Sequence, residues 1–339
     1  MFNSPSQRNV IAVECGSTVL RLLQLSGSSA SPIVQAIAHV DGAGSTPLFE
    51  QAIVDEVTVR RLKDALRGGG FSGRACALAL PAKSILTESI EVPALASDEM
   101  KESIAWTAVD RLGVDRADVV AGHLSIRAGT LGGAPSEVLL IAARRAVVNR
   151  AALLLTAAGL EPHRAELGAL AAMRLAWNQI KSTSLVPHFA FLHLESDRAT
   201  LALLNRAGLI FHRAFPWDSS AGSNPSAIPV AGEEDESNAW RWRHLAEEIL
   251  LCLRHVERHA GGSWPEFVLL SGALAEEPGV VSAIGSVCGA EARLIQIEEL
   301  ADWSKVTRPK GPLSAWSSAL SLALPQQPAL VENKVQRVA

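Results

Sequence analysis

Two distant stretches of the chain carry the same pattern. Residues 10–40 and 189–215 each read as three consecutive apolar strands joined by short turns, and each is followed later by an amphipathic helix and a further strand. A pattern met twice in this order constrains the chain to two similar α/β halves. In the first copy the strands Val10–Glu14 and Val19–Leu25 flank the small-residue turn Cys15–Gly16–Ser17–Thr18. Ile33–Val40 follows, antiparallel to the second strand because the connection is short. Val57–Leu66 has apolar residues at Val57, Val59, Leu62, Ala65 and Leu66 with charges between them, the mark of an amphipathic helix. Gly68–Gly70 stops it, and Ala75–Leu80 is a buried strand ending at Pro81.

The second copy has strands at Phe189–Leu194, Thr200–Leu204 and Leu209–Phe215. Its helix, Trp240–His259, gathers Leu245, Ile249, Cys252, Leu253 and Val256 on one side. Phe267–Leu270 is the further strand and runs into Ser271–Gly272–Ala273. Between them, Pro216–Asn238 reads as an exposed loop that closes on the solvated acidic run Glu233–Glu236. Val280–Cys288 is expected to be a helix, Arg293–Ile297 a strand and Leu313–Leu324 the last helix.

A small α+β unit interrupts the first half. Ile85–Val92 is a strand ended by Pro93, and Ser97 is expected to cap a helix with acidic residues in its first turn. Strands Val119–Ile126 and Glu137–Ala143 flank the Gly-rich hairpin Ala128–Pro135, and a helix over Arg145–Ala158 ends at Gly159. An alanine-rich helix, Leu167–Trp177, then leads toward the second half. Met1–Asn9 and Gln326–Ala339 read as loose ends.

Composition removes several function classes. At 339 residues with 48% hydrophobic content the chain can fill two sizeable cores. A net charge of −4 gives no electrostatic footprint for nucleic acid. Cys15, Cys76, Cys252 and Cys288 are far apart and form no CxxC pair, so they read as reduced thiols of a cytosolic chain. The N-terminus lacks a signal-peptide apolar core, and no segment reaches the ~18 apolar residues of a membrane span.

The chemistry is expected at the turns. A glycine between two strands lets a ligand approach the backbone, and successive N–H groups there cradle phosphate. Gly16, Ser17 and Thr18 fit that role, and they equally fit an ordinary hairpin. Further motifs fall in a particular order along residues 10–325. They are Glu14–Cys15–Gly16–Ser17–Thr18–Val19–Leu20–Arg21, Ala79–Leu80–Pro81, Ile90–Glu91–Val92–Pro93 and Ala157–Ala158–Gly159–Leu160. Glu248–Ile249–Leu250–Leu251–Cys252–Leu253, Ser271–Gly272–Ala273–Leu274 and Ala319–Leu320–Ser321–Leu322–Ala323–Leu324 complete the series.

In that order the chain resembles the PilM family of type IV pilus assembly proteins, relatives of FtsA in the actin-like superfamily. The resemblance implies an α/β fold of the actin-like (ASKHA) duplicated type with an inserted FtsA/PilM-type 1C α+β subdomain. It divides the chain into 1–83 (subdomain 1A, first part), 84–160 (inserted 1C) and 161–185 (return to 1A). The rest becomes 186–312 (2A/2B, with a flexible loop at 216–238), 313–325 (closing helix) and 326–339 (loose tail). ATP with Mg²⁺ would sit between two strand turns and an adenosine turn. The residues implied to hold it are Glu14, Gly16, Ser17, Thr18, Arg21, Glu248, Ser271, Gly272 and Ala273. Arg21 and Glu248 have ordinary alternatives, as a solvated strand arginine and a helix-surface glutamate.

The second phosphate turn departs from the family pattern D-I-G-x-x-x-T. His193 stands at the acidic position and Glu195 at the glycine, within His193–Thr200. A carboxylate there repels phosphate and its Cβ blocks approach, and a histidine is no partner for hydrated Mg²⁺. Glu14 replaces the first-turn Asp, and Ala273 the second glycine of the adenosine turn. His193 and Glu195 share a strand face but lack a third metal ligand. The expectation is therefore a scaffold with nucleotide binding weakened or lost, so that ATP–Mg²⁺ and no cofactor both stay open. Catalysis would be weak ATPase activity at most. The resemblance implies a cytoplasmic protein held at the inner membrane through partners, chiefly the N-terminal tail of PilN. That tail would enter a groove built around Ala79–Ile85 and the inserted unit. A nucleotide-using actin-like ATPase and a GspL- or FtsA-like adaptor are the alternatives.

Overall fold

The structure, a computed structural model, describes residues 10–16, 19–28, 30–41, 56–130, 133–181, 188–217, 233–259, 263–309 and 311–325. Ser17, Thr18 and both expected loose ends lie outside these residues, as do most of the expected loop at 216–238 and part of the Ala128–Pro135 hairpin. The chain divides into two compact units, residues 1–175 with 297–310 and 316–339, and residues 176–296 with 311–315.

In the first unit, β1 (Ile11–Cys15), β2 (Val19–Gly27) and β3 (Pro32–Asp41) form the expected antiparallel meander. The amphipathic α1 (Glu56–Gly68) then carries the chain to β4 (Ala75–Leu80), which pairs parallel with β1. Ile11, Val13 and Cys15 alternate onto the face that also holds Leu20, Leu22, Leu62, Leu78 and Leu80. All are buried, so this face is a continuous apolar core.

The interruption folds as expected. β5 (Leu86–Val92), α2 (Ser97–Leu112), β6 (Val119–Arg127) and β7 (Ser136–Arg144) give a three-stranded antiparallel sheet of order β5-β7-β6. Val138, Leu140 and Ala142 of β7 pack with Met100, Ile104 and Ala108 of α2. The opposite face, through Ala143 and Ile141, joins the core of the main sheet together with Val148, Ala151, Leu154 and Leu155 of α3 (Arg145–Ala157). Ser97 does not cap α2. It is the first helical residue, Ala96 takes the cap position, and the Glu99 carboxylate accepts the Ala96 N–H at 3.3 Å.

Leu167 does not open a helix as expected. It ends β8 (Glu161–Leu167), which pairs parallel with β4 and completes the sheet order β3-β2-β1-β4-β8. Its sequence, EPHRAEL, hides the strand because β8 is an edge, half buried and tolerant of Pro162. α4 (Gly168–Lys181) follows.

The second unit repeats the plan. β9 (Phe189–Leu194), β10 (Arg198–Asn205) and β11 (Gly208–Pro216) form an antiparallel meander. α5 (Glu233–His259) begins seven residues before the expected Trp240 start, so the acidic run Glu233–Glu236 is helical backbone, not loop. Acidic residues at a helix N-terminus favour that longer helix through the macrodipole. β12 (Phe267–Ser271), α6 (Val280–Cys288) and β13 (Glu291–Leu294) follow, and the sheet order is β11-β10-β9-β12-β13. The last strand therefore sits ahead of the expected Arg293–Ile297. The expected closing helix is a short 3-10 turn at Leu313–Trp316 followed by α7 (Ser317–Ala323), which belongs to the first unit. α7 packs across β1, β2 and β4, and each of its residues is buried. Ala12, Ala77 and Ala79 are also buried, and small side chains on that sheet face let a helix come close. The four cysteines are free and buried, and burial pushes the Cys76 and Cys288 thiols up to about 12. Among the described residues no helix is long and apolar enough to cross a membrane.

His212 on β11 gives the second unit a built-in acid weakness. It is buried, neither ring nitrogen has a partner among the described residues, and desolvation pushes its pKa down to about 4. The unfolded chain protonates near ~6.5 while the folded one resists. The contribution of His212 to stability is thus expected to fall between those values by roughly 3 kcal/mol. Chemical denaturation across that range should show the slope in the natural chain and a smaller one in His212→Leu, since burial also lowers the pKa of His123, His163 and His188.

Candidate functional site

The hairpins at the ends of β1 and β9 are built alike. In the first, Cys15 faces Leu20 and the Gly16 N–H donates to the Val19 carbonyl at 2.8 Å. In the second, Leu194 faces Ala199 and the Glu195 N–H donates to the Arg198 carbonyl at 3.0 Å. Register alone therefore sets Glu195 in the place of Gly16 and His193 in the place of Glu14. The Gly16 N–H is taken by the hairpin. A Cβ on Gly16 would stand 3.0 Å from the Val19 oxygen, tight but without a left-handed φ. Glu195 carries a side chain at the matching position.

Each turn holds its own charge pairing. Glu14 is buried, lies directly across the ladder from Arg21, and its Oε1 is 3.3 Å from Arg21 Nη1. Arg21 thus faces a carboxylate inside the protein. In the second unit, His193 is 2% exposed, with Nδ1 3.1 Å from Ser271 Oγ and Nε2 3.8 Å from Glu195 Oε1. The donor in the His193–Ser271 contact follows the tautomer of the ring, and with the proton on Nε2 it would be the Ser271 hydroxyl. Ser271 and His193 are register partners in the parallel β9–β12 ladder.

The Ser271–Ala273 turn is fastened from a distant part of the chain. The Gly272 N–H donates to the Ser314 carbonyl at 3.1 Å, and Ser314 Oγ donates to the Gly272 carbonyl at 2.9 Å. The Ser314 N–H in turn donates to Glu276 Oε1 at 2.8 Å. Gly272 has φ +100°, and a Cβ there would fall 2.3 Å from the Leu194 carbonyl oxygen. The glycine is thus required by the end of β9 itself. Ala273 is half buried. Glu248 is half buried on α5, one turn before Cys252, whose thiol receives Arg213 Nη1 at 3.9 Å. Burial raises the Cys252 thiol in spite of that guanidinium.

Sequence reasoning found His193, Glu195 and the Ser271–Ala273 turn but not the hydrogen bond that joins them. It also missed Ser314, which lies 42 residues from Gly272 and carries no local signal. No group of three or more metal-ligating side chains occurs among the described residues. Of the expected peptide groove, Ala79, Leu80, Pro81, Ala82 and Ile85 are buried, and Lys83 is exposed. An open depression of about 380 Å³ lies on the inserted unit between Val92–Ala94 and Thr130, Gly133 and Pro135.

Two matching sheets, each with a meander, a crossover and a parallel strand, together with the inserted sheet, define the actin-like fold class. Within that class, the chain is similar in structure to a chain of the PilM–PilN type IV pilus biogenesis complex, with a TM-score of 0.77 and 19% identity over 94% of this chain and 98% of that one. A Bacteroides thetaiotaomicron protein with an actin-like ATPase fold aligns over 94% of this chain and 99% of its own, at a TM-score of 0.49 and 10% identity. The cytoplasmic domain of EpsL, an inner-membrane component of the Vibrio cholerae type II secretion system, aligns over 96% and 99%, at 0.49 and 13%. No family model matches the chain, and no curated protein matches it by sequence.

The two turn glycines should respond differently to a methyl group. Gly272→Ala is expected to destabilise the protein by at least about 2 kcal/mol, because φ and the Leu194 carbonyl both oppose a Cβ. Gly16→Ala should cost under about 1 kcal/mol. Thermal unfolding of the two variants measures the difference.

Proposed function

We propose that the chain is a scaffold of type IV pilus assembly that holds the N-terminal cytoplasmic tail of a PilN-like membrane protein. The observation that carries this reading is the likeness to the PilM–PilN complex, which runs through both units and the inserted one. An extended tail gains affinity from main-chain hydrogen bonds and from apolar side chains seated in depressions. The segment Ala79–Ile85 and the inserted unit are where the tail would lie. The protein would be cytoplasmic and reach the inner membrane through that partner.

The same reading includes a weakened nucleotide site. The proposed contacts are those of Glu14, Gly16, Ser17, Thr18, Arg21, Glu248, Ser271, Gly272 and Ala273. Three features argue against tight binding of ATP with Mg²⁺. Glu195 fills the glycine position of the second turn, His193 is bonded to Ser271, and Arg21 is paired with Glu14. A phosphate entering beside Glu195 meets like charge, and drawing Arg21 toward a phosphate breaks its pair with the buried Glu14. No catalytic step is assigned to these residues.

Two titrations test the reading. A fluorescent peptide of the PilN-like tail should bind in the micromolar range by anisotropy, and a scrambled peptide should not. Absence of binding by the natural peptide would overturn the scaffold role. By calorimetry, ATP with Mg²⁺ should give no saturable heat at millimolar nucleotide. The double variant His193→Asp/Glu195→Gly should bind at least about tenfold more tightly, since the repulsion and the blocking side chain are both gone. Micromolar binding by the unaltered chain would restore the nucleotide-using alternative.

A further inference from the structure

A hollow of about 250 Å³ opens on the first unit where α1 and α3 end. Leu66, Phe71, Ala158 and Leu160 give it an apolar wall, and its ionisable wall residues are Lys63 and Arg67. Gly73 and Gly159 complete the wall with φ +78° and +94°, values that glycine adopts easily, and neither puts a side chain into the space. Lys63 has no ion pair among the described residues, and Arg67 reaches Asp64 only at 3.7 Å with both side chains exposed. Arg60 extends the cationic stripe three residues before Lys63. The carbonyl end of α1 accounts for Arg67 in its last turn, but Arg60 and Lys63 lie further back. The space is below the ~300 Å³ at which small-molecule pockets begin, and it suits one large apolar side chain that arrives with acidic neighbours. The hollow lies at the start of β4 and β8, whereas Ala79–Ile85 begins about 17 Å away at the other end of β4.

α2 presents such a side chain. Trp106 is 53% exposed. One helical turn before and after it stand Glu102 and Asp110, both exposed, and Ser103 and Val109 fill the other adjacent positions. The cations of α2 are engaged elsewhere, Lys101 with Asp98 at 2.7 Å and Arg111 with Glu88 at 2.8 Å. Arg116 reaches Glu102 at 3.5 Å, and Asp110 has no ion pair among the described residues. The other exposed large apolar residues are set differently. Val57 has Arg60 and Arg61 beside it, Leu153 has Arg150, Trp240 has Arg243 and His244, and Leu251 has Arg254 as well as Glu247.

We propose that Trp106 of one copy of the chain seats in the α1–α3 hollow of a second copy, with Glu102 and Asp110 facing the second copy's stripe of Arg60, Lys63 and Arg67. The indole is the anchor, a large side chain desolvated in a pocket and ringed by charge of the opposite sign to the pocket's rim. The chain thus carries both halves of one complementary pair on different surfaces. The contact runs head to tail and leaves a hollow free on one copy and a tryptophan free on the other. One indole and a few ion pairs make a small interface, so association depends on concentration and weakens with salt. This inference does not depend on the nucleotide or tail-binding reading.

Sedimentation of the full chain over a concentration series, in low and high salt, tests the contact. The average mass should rise above that of one chain at high micromolar concentration in low salt and fall back in high salt. Trp106→Ala and Lys63→Glu/Arg67→Glu should each weaken association at least about tenfold, with melting curves that show both variants folded. Mixed together, these two variants should associate one to one, because the first keeps its hollow and the second its tryptophan. Adding Glu102→Lys/Asp110→Lys to the Lys63→Glu/Arg67→Glu chain should restore self-association by exchanging the charges. A chain that stays single at every concentration overturns the proposal, as does association that neither variant weakens or a mixture of the two variants that stays monomeric.

Discussion

The central strand of each sheet is the constraint on which everything else rests. β1 is bonded antiparallel to β2 on one side and parallel to β4 on the other, and β9 stands in the same way between β10 and β12. Both strands are buried along their whole length. A strand paired on both edges and covered on both faces must be apolar almost throughout, and each large side chain it buries contributes about 1.5–3 kcal/mol. The turns at its end inherit that rigidity. Glu14 and His193, the polar residues that interrupt the two strands, are consequently forced to find partners inside the protein.

Much of this was legible in the residues. The apolar runs of β1, β4, β9 and β12 announce themselves, and the meanders follow from their short connections. The exceptions have a common cause. β8 is an edge strand, with half of its surface outside the core, so its composition is set by solvent and by neighbours such as Arg174 beside Glu166. The first turns of α5 are acidic because they end a helix, and the same residues in isolation resemble a solvated loop. Ser97 is a good cap by type, but the chain enters α2 one residue earlier.

At the two turns the sequence shows residue types at positions but not the interactions between them. The family resemblance put Glu195 at a turn glycine, and the hairpin register sets Glu195 in the place that Gly16 holds in the first turn. What spacing does not encode is that His193 reaches Ser271 across the parallel ladder, or that Ser314 ties down Gly272 by both its N–H and its carbonyl. Both contacts join segments far apart in sequence. At Gly272 the structure supplies a reason for glycine that needs no ligand, since the carbonyl of Leu194, a neighbouring strand end, leaves no room for a Cβ.

α7 has a bearing on the life of the chain before it is complete. The sheet of the first unit is nearly all present once β8 has been made, but one of its faces is closed by a helix that begins at Ser317. The whole of the second unit is synthesised in between. A ribosome-bound intermediate therefore carries an open apolar sheet face, Ala12, Ala77 and Ala79 among it, for the time needed to translate well over a hundred further residues. Loss of a few residues from Ser317–Ala323 would uncover that face permanently, so the integrity of the first unit is decided by a helix that follows the second unit in sequence.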